Sequence, residues 1–389
     1  MNITAKKSKK ALIWLCAAHL TCDIYTGFLN PIMPFIAAKL GFTLAVATIL
    51  ISISHICSNM LQPIFGFFAD NILKRFFVFW GLVLVSVFIP LTPSAPNIPL
   101  LLMFMILGSM GSSFFHPQAT GFTNIFSQKC DCSDNMGNFI SMGSLGFAFG
   151  PLIAALITQV LGLHMVSRTS FLGLFLAGLM FLFVPKLSLT EKKPEHKEFF
   201  KSFREILSNR QIDFLMLLSM MKSLITNSCC ILLPFLWKGM EYTPFYIGLA
   251  LFLFVFAGAL GSFASPRLEK IWGSKPVIYI SMCATFPMII AFALTYKSHP
   301  VLSMVIFAIT GFTTMLAQPV VTVWAQKTLP QYKSITAGFI NGFCWGIVAL
   351  CMSVLGAVAQ KIGIMTVLTA LSIIPVLTSF SVKYLKEEN

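Results

Sequence analysis

Apolar positions run through this chain in stretches too long for a buried strand or a surface helix. No Asp, Glu, Lys or Arg occurs from Leu40 to Ala69, from Phe76 to Gln128, or from Asn135 to Ser167. A helix needs about 20 apolar residues to cross a bilayer. The run 76–128 holds enough for two, with the breaker-rich segment Pro90–Pro99 between them. Hydropathy and breakers together predict twelve helical spans, at about 11–38, 44–69, 75–92, 98–126, 136–161, 165–185, 211–238, 244–266, 275–296, 300–326, 333–359 and 363–384. The expected fold is all-α and integral to the membrane, with two pseudo-symmetric bundles of six helices. The halves are 1–185 and 211–389, joined by a charged cytoplasmic strap at 186–210 that holds 7 of the 27 Lys/Arg and 4 of the 13 Asp/Glu.

Composition supports the membrane. Of 389 residues, 57% are hydrophobic and 10% charged. Soluble domains carry roughly 25% charged residues. The net charge of +14 would suit nucleic acid, but the basic residues lie between spans, where they act as orientation signals. With both termini inside, 21 of the 27 Lys/Arg fall on the cytoplasmic side and 5 outside; Lys222 lies within a span. The ten Cys suggest no disulfide framework, since eight fall inside spans. The basic N-terminus resembles the start of a signal peptide, but apolar character continues to about Ala38, so it reads as an uncleaved first span.

The halves echo each other. His116-Pro117 in span 4, with Asn124 seven residues after Pro117, has a counterpart in Gln318-Pro319 of span 10, with Gln326 seven residues after Pro319. The segment Gly66 to Asp70 with Lys74-Arg75 has one in Gly261 to Ser265 with Arg267. Repeats of this kind are the layout of a transporter whose halves rock about a central site.

Polar residues within the spans carry the candidate chemistry. His19, Asp23, Thr26 and Asn30 share one face of span 1. Asp23 is a carboxylate in hydrocarbon, where a charge costs about 3 kcal/mol on insertion scales. That cost favours a proton carrier, a structural ion pair being the other reading. His116 is a second proton-relay candidate, because His titrates near physiological pH. His55 and Asn59 in span 2 read equally as cavity wall or as polar glue between helices. In the second half, Lys222 and Thr226 of span 7, Gln318 and Trp324 of span 10, and Asn341 and Trp345 of span 11 are candidate substrate contacts. Lys222 would meet an anionic group. Gly66, Asp70, Lys74 and Arg75 suit a gating latch; Gly146, Gly150 and Pro151 give span 5 a smooth face and a bend on which halves could pivot. Asp131 and Asp134, flanked by Cys130 and Cys132, raise a metal-dependent enzyme as a distant alternative. Neither a resident metal nor a cofactor is expected.

The layout and the loop after span 2 resemble the major facilitator superfamily, although Asn71 and Leu73 depart from that loop motif. Span 5 is similar to the superfamily's antiporter motif, without the second Gly pair after Pro151. Within the superfamily, His19-Leu-Thr-Cys-Asp23, Pro31-Ile-Met-Pro34 and Ser112-Ser-Phe-Phe-His116-Pro117 resemble the fosmidomycin resistance protein family. The family often has Asn where Cys22 stands and Glu where Gln118 stands. The resemblance implies a proton-driven drug exporter of a bacterial inner membrane, with Asp23 and His116 at its central cavity; a monomer is expected. It would use the proton gradient and a small-molecule substrate. The alternative is a proton-coupled importer of a nutrient or small organic anion.

Overall fold

The computed structural model describes residues 4–65, 76–129, 135–185 and 196–386. Every regular element among them is helical. Twelve helical segments are long and apolar enough to cross a membrane, and each coincides with an expected span. In order they are Ala5–Leu40, Leu44–Phe65, Phe76–Ser94, Ile98–Gln128, Asn135–Leu161, Leu163–Phe183, Arg210–Gly239, Pro244–Trp272, Ser274–Thr295, Pro300–Thr328, Ile335–Ile362 and Ile364–Tyr384. They are called spans 1 to 12 below.

The chain packs as two compact units. One comprises Met1–Phe42, Ile53–Lys193 and Trp237–Phe252; the other comprises Thr43–Ser52, Pro194–Leu236 and Leu253–Asn389.

In the first unit, spans 1 and 5 meet backbone to backbone. Gly27 interrupts span 1, and a methyl group on it would lie 2.9 Å from Pro151 Cδ and 3.2 Å from Gly150 Cα. A methyl on Gly146 would overlap the Leu20 carbonyl oxygen, and one on Gly150 the Ile24 carbonyl oxygen. Small residues spaced by one turn let the two helices approach this closely. Spans 2 and 4 are joined by serines. Ser54 and Ser109 hydroxyls lie 2.5 Å apart, and Ser113 donates to the carbonyls of Cys57 and Ser58.

In the second unit, two spans depart from regular α-helix. Span 10 turns at Leu316, just before Pro319. Proline cannot return a hydrogen bond to the carbonyl four residues back, and here Ser262 of span 8 donates to that Met315 oxygen at 3.3 Å. Span 11 contains a π-turn at Phe339–Phe343. The buried Ser219 hydroxyl of span 7 donates to the Ile340 carbonyl within it, at 2.8 Å.

The expected charged strap contains a helix, His196–Leu207. Ile206 is fully buried in an apolar cluster with Ile212, Leu215, Trp324 and Phe339. The Phe203 ring meets Phe339 edge-on at 4.8 Å and lies 6.4 Å from Phe343. The strap helix therefore braces the π-turn.

Candidate functional site

Each unit holds one polar cluster. In the first, Asp23 of span 1 sits between two imidazoles. His19, one turn earlier, brings Nε2 to 3.3 Å from Asp23 Oδ2; His116 of span 4 brings Nε2 to 3.3 Å from Oδ1. The side chains are 10%, 15% and 22% exposed for His19, Asp23 and His116, so the cluster is sheltered but not sealed. The Phe139 ring stacks on His19 at 4.1 Å, and the Phe115 ring lies 5.9 Å from it.

The remaining contact of His19 determines where protons sit. Its Nδ1 lies 2.7 Å from the Phe139 carbonyl oxygen. A carbonyl only accepts, so Nδ1 carries the proton and Nε2 of a neutral ring is a bare lone pair. That lone pair faces a carboxylate, which when ionised also only accepts. For the contact to be attractive, one further proton must lie on His19 Nε2 or on Asp23. The cluster can therefore hold an exchangeable proton in the membrane.

The same three ligand atoms lie within 4.8 Å of one another, the one such group among the described residues. A metal ion would fit that spacing, and the shared proton would satisfy the same contacts as a hydrogen-bonded set.

In the second unit the ionisable group is Lys222 of span 7. It is 2% exposed. Its Nζ donates to Gln318 Oε1 and lies 3.8 Å from Met315 Sδ. Gln318 Nε2 donates to Asn341 Oδ1; the Thr322 hydroxyl donates to the Gln318 carbonyl at 2.9 Å and lies 3.3 Å from that Asn341 oxygen. Lys222 forms no ion pair among the described residues. The two clusters are built alike: the residue before proline in span 4 or span 10 contacts the ionisable residue of span 1 or span 7.

The other candidate residues fall as follows. Asn30 Oδ1 is buried with no hydrogen-bond partner among the described residues. His55 is half-buried, and its carbonyl accepts from the Asn59 side-chain amide at 2.9 Å. Thr226 bonds back to the Lys222 carbonyl at 3.2 Å. Trp324 is buried in the apolar cluster that takes in Ile206 of the strap helix, among packing residues. Trp345 is half-buried. Gly146, Gly150 and Pro151 form the seam against span 1. Gly66, Asp70, Lys74 and Arg75, like Asp131 and Asp134, lie outside the described residues. Gln118 accepts from the Val78 backbone N–H at 2.8 Å, so it helps to cap span 3.

Of the contributors to these clusters, Ser219, Met315 and the Phe139 carbonyl are not among the residues that the sequence singles out, and Gly143 enters only as part of the smooth face of span 5. Ser219 has a signal, since it lies one turn from Lys222 on the same face. The Phe139 carbonyl has none, because every residue carries one.

Comparison with known proteins gives this architecture a family. The fold matches the nucleoside transporter NupG with a TM-score of 0.77 at 14% identity, covering 97% of this chain and 100% of that one. It matches a bacterial homolog of the human lysosomal transporter Spinster, inward-facing and occupied, with a TM-score of 0.72 at 13% identity, covering 96% of each. In sequence, the chain is 25% identical over 390 residues to the fosmidomycin resistance protein of Escherichia coli, covering 92% of this chain and 89% of that one. It is 23% identical over 378 residues to an uncharacterized MFS-type transporter of Bacillus subtilis, covering 94% and 90%. Over 166 residues, 42% of this chain and 43% of the relative, it is 24% identical to the quinolone resistance protein NorA of Staphylococcus aureus. Residues 15–352 match the Major Facilitator Superfamily, and the chain belongs to that family of multi-pass membrane transporters.

Proposed function

We propose that this protein is a proton-coupled exporter of small molecules. It would work as a monomer in a bacterial inner membrane, with both termini cytoplasmic, and without catalytic chemistry or a cofactor. The observation that carries the reading is the 3.3 Å contact of His19 Nε2 with Asp23 Oδ2 while Nδ1 faces the Phe139 carbonyl, an arrangement that calls for one shared proton. A carboxylate that can receive this proton from one side and release it from the other couples the gradient to movement of the protein. His19 and His116 then act as its proton partners. The two six-helix halves, 1–185 and 211–389, are the bodies that move.

Export is favoured over uptake by the relatives: two named resistance proteins are similar to this chain, one along most of its length. Fosmidomycin is therefore the first substrate to try.

The experiment is fosmidomycin susceptibility in a pump-deficient bacterium expressing wild type or Asp23→Asn, with membrane protein levels matched. Protection by wild type alone, accompanied by drug-dependent proton release from the lumen of inverted vesicles, is expected. Equal protection by Asp23→Asn would overturn the coupling role. Greater drug accumulation in cells expressing the wild type would reverse the direction and identify a proton symporter.

A further inference from the structure

The second unit's polar cluster has a direction that follows from its chemistry. An ammonium group has donors and no acceptor. Lys222 therefore requires the oxygen of the Gln318 amide, and Oε1 accepts from it. That leaves the Gln318 nitrogen to face Asn341, whose oxygen must then accept. The Thr322 hydroxyl, whose proton goes to the Gln318 carbonyl at 2.9 Å, lies 3.3 Å from the same oxygen. With Oδ1 taken by Gln318, Asn341 presents Nδ2 and its two N–H donors outward. No acceptor for them occurs among the described residues, and Asn341 is exposed.

Every dipole in this hydrogen-bonded series thus points its positive end away from Lys222 and toward Asn341. Hydrogen bonds aligned head to tail polarise one another, more strongly in a low-dielectric interior. Behind them lies a buried cation with no carboxylate paired to it among the described residues. The π-turn at Phe339–Phe343 holds Asn341 at this point, and π-turns recur at functional sites. Ser219 and Phe203 fix that turn from two sides.

We propose that Asn341 Nδ2, backed by Lys222 through Gln318, receives an oxyanion of the transported molecule, a carboxylate or phosphonate. The charge of Lys222 is then balanced by the substrate. This rests on the transport reading only for the molecule that bears the anion.

The test uses the purified full-length protein in nanodiscs, with benzoate and phenylphosphonate as anionic probes and benzamide as a neutral isostere of benzoate. Equilibrium binding and thermal unfolding are both measured. At least one anion should bind the wild type and raise its Tm, and benzamide should do neither. Gln318→Glu places a carboxylate beside Lys222; it should raise the Tm of the free protein and weaken anion binding by about tenfold or more. Asn341→Asp leaves the Lys222–Gln318 contact intact and puts a negative charge at the docking point, so it should abolish anion binding in a folded protein. No response to either anion, an equal response to benzamide, or unchanged anion binding in the two variants would overturn the proposal. If the wild type binds the anions but shows no drug export, the export reading falls and the anion site stands. Export with anion binding unchanged in both variants overturns the anion site and leaves the export reading standing.

Discussion

Gly143 lies directly against the His19–Asp23 pair. A methyl group on its α-carbon would come within 2.8 Å of Asp23 Oδ2 and would overlap the His19 ring at Cε1 and Nε2. Span 5 thus supplies the surface on which the His19–Asp23 pair rests. Gly143→Ala should reduce transport by at least about tenfold, because small displacements of reacting groups have large effects. Span 5 should still fold, since Ala is the better helix former. Drug export alongside thermal unfolding in detergent checks this; normal export in the variant would remove Gly143 from the site.

His116 and Asp23 should fail differently. Asp23→Asn removes the carboxylate and should abolish both drug and proton movement. His116→Gln keeps a donor that can reach Asp23 Oδ1, so partial drug export with reduced proton coupling is expected. The ratio of protons to drug moved in inverted vesicles separates the two, and an unchanged ratio in His116→Gln would exclude His116 from coupling.

Lys222→Met should leave thermal stability unchanged or raised. Desolvating an unpaired ammonium costs several kcal/mol, and an apolar side chain of similar volume avoids that cost. Gln318 remains bonded to Asn341, so one amide oxygen is left to find a donor. A fall in Tm by several degrees would mean that the Lys222–Gln318 hydrogen bond outweighs the cost of desolvating the ammonium.

Phe203 is half-buried and packs on Phe339 of the π-turn. Phe203→Ala should destabilise the protein by roughly 1–3 kcal/mol, below the value for a fully buried Phe. It should also weaken the anion response, because the turn that carries Asn341 loses a support. Ser219→Ala, which frees the Ile340 carbonyl, should act in the same direction through a lost buried hydrogen bond of about 1 kcal/mol. Thermal unfolding and benzoate binding check both; a full anion response in the two variants would separate the turn from the site.

Much of the architecture is legible in the residues. All twelve expected spans are present, because a bilayer forces backbone polar groups into helices and apolar length alone announces them. The strap is less transparent: its charges are conspicuous and its helix is not. Phe199, Phe200, Phe203, Ile206 and Leu207 recur at helical spacing there, a signal outweighed by the surrounding Lys and Glu. Trp324 looks like a ligand contact in the sequence because aromatic residues suit both cavities and cores; its neighbours put it in a core.

From the sequence alone come the class of molecule, the number of spans, and the identity of Asp23, His19, His116, Lys222, Gln318 and Asn341 as polar groups set in hydrocarbon. These follow from local composition, since the energetic penalty on a buried charge is attached to the residue itself. Tertiary structure alone decides which groups meet. The Phe139 carbonyl faces His19 across 120 positions of sequence, and Lys222 meets Gln318 across 96. Hydrogen bonds of this kind act over about 3 Å between atoms brought together by helix packing, so their partners, and the protons they require, appear only when the chain is folded.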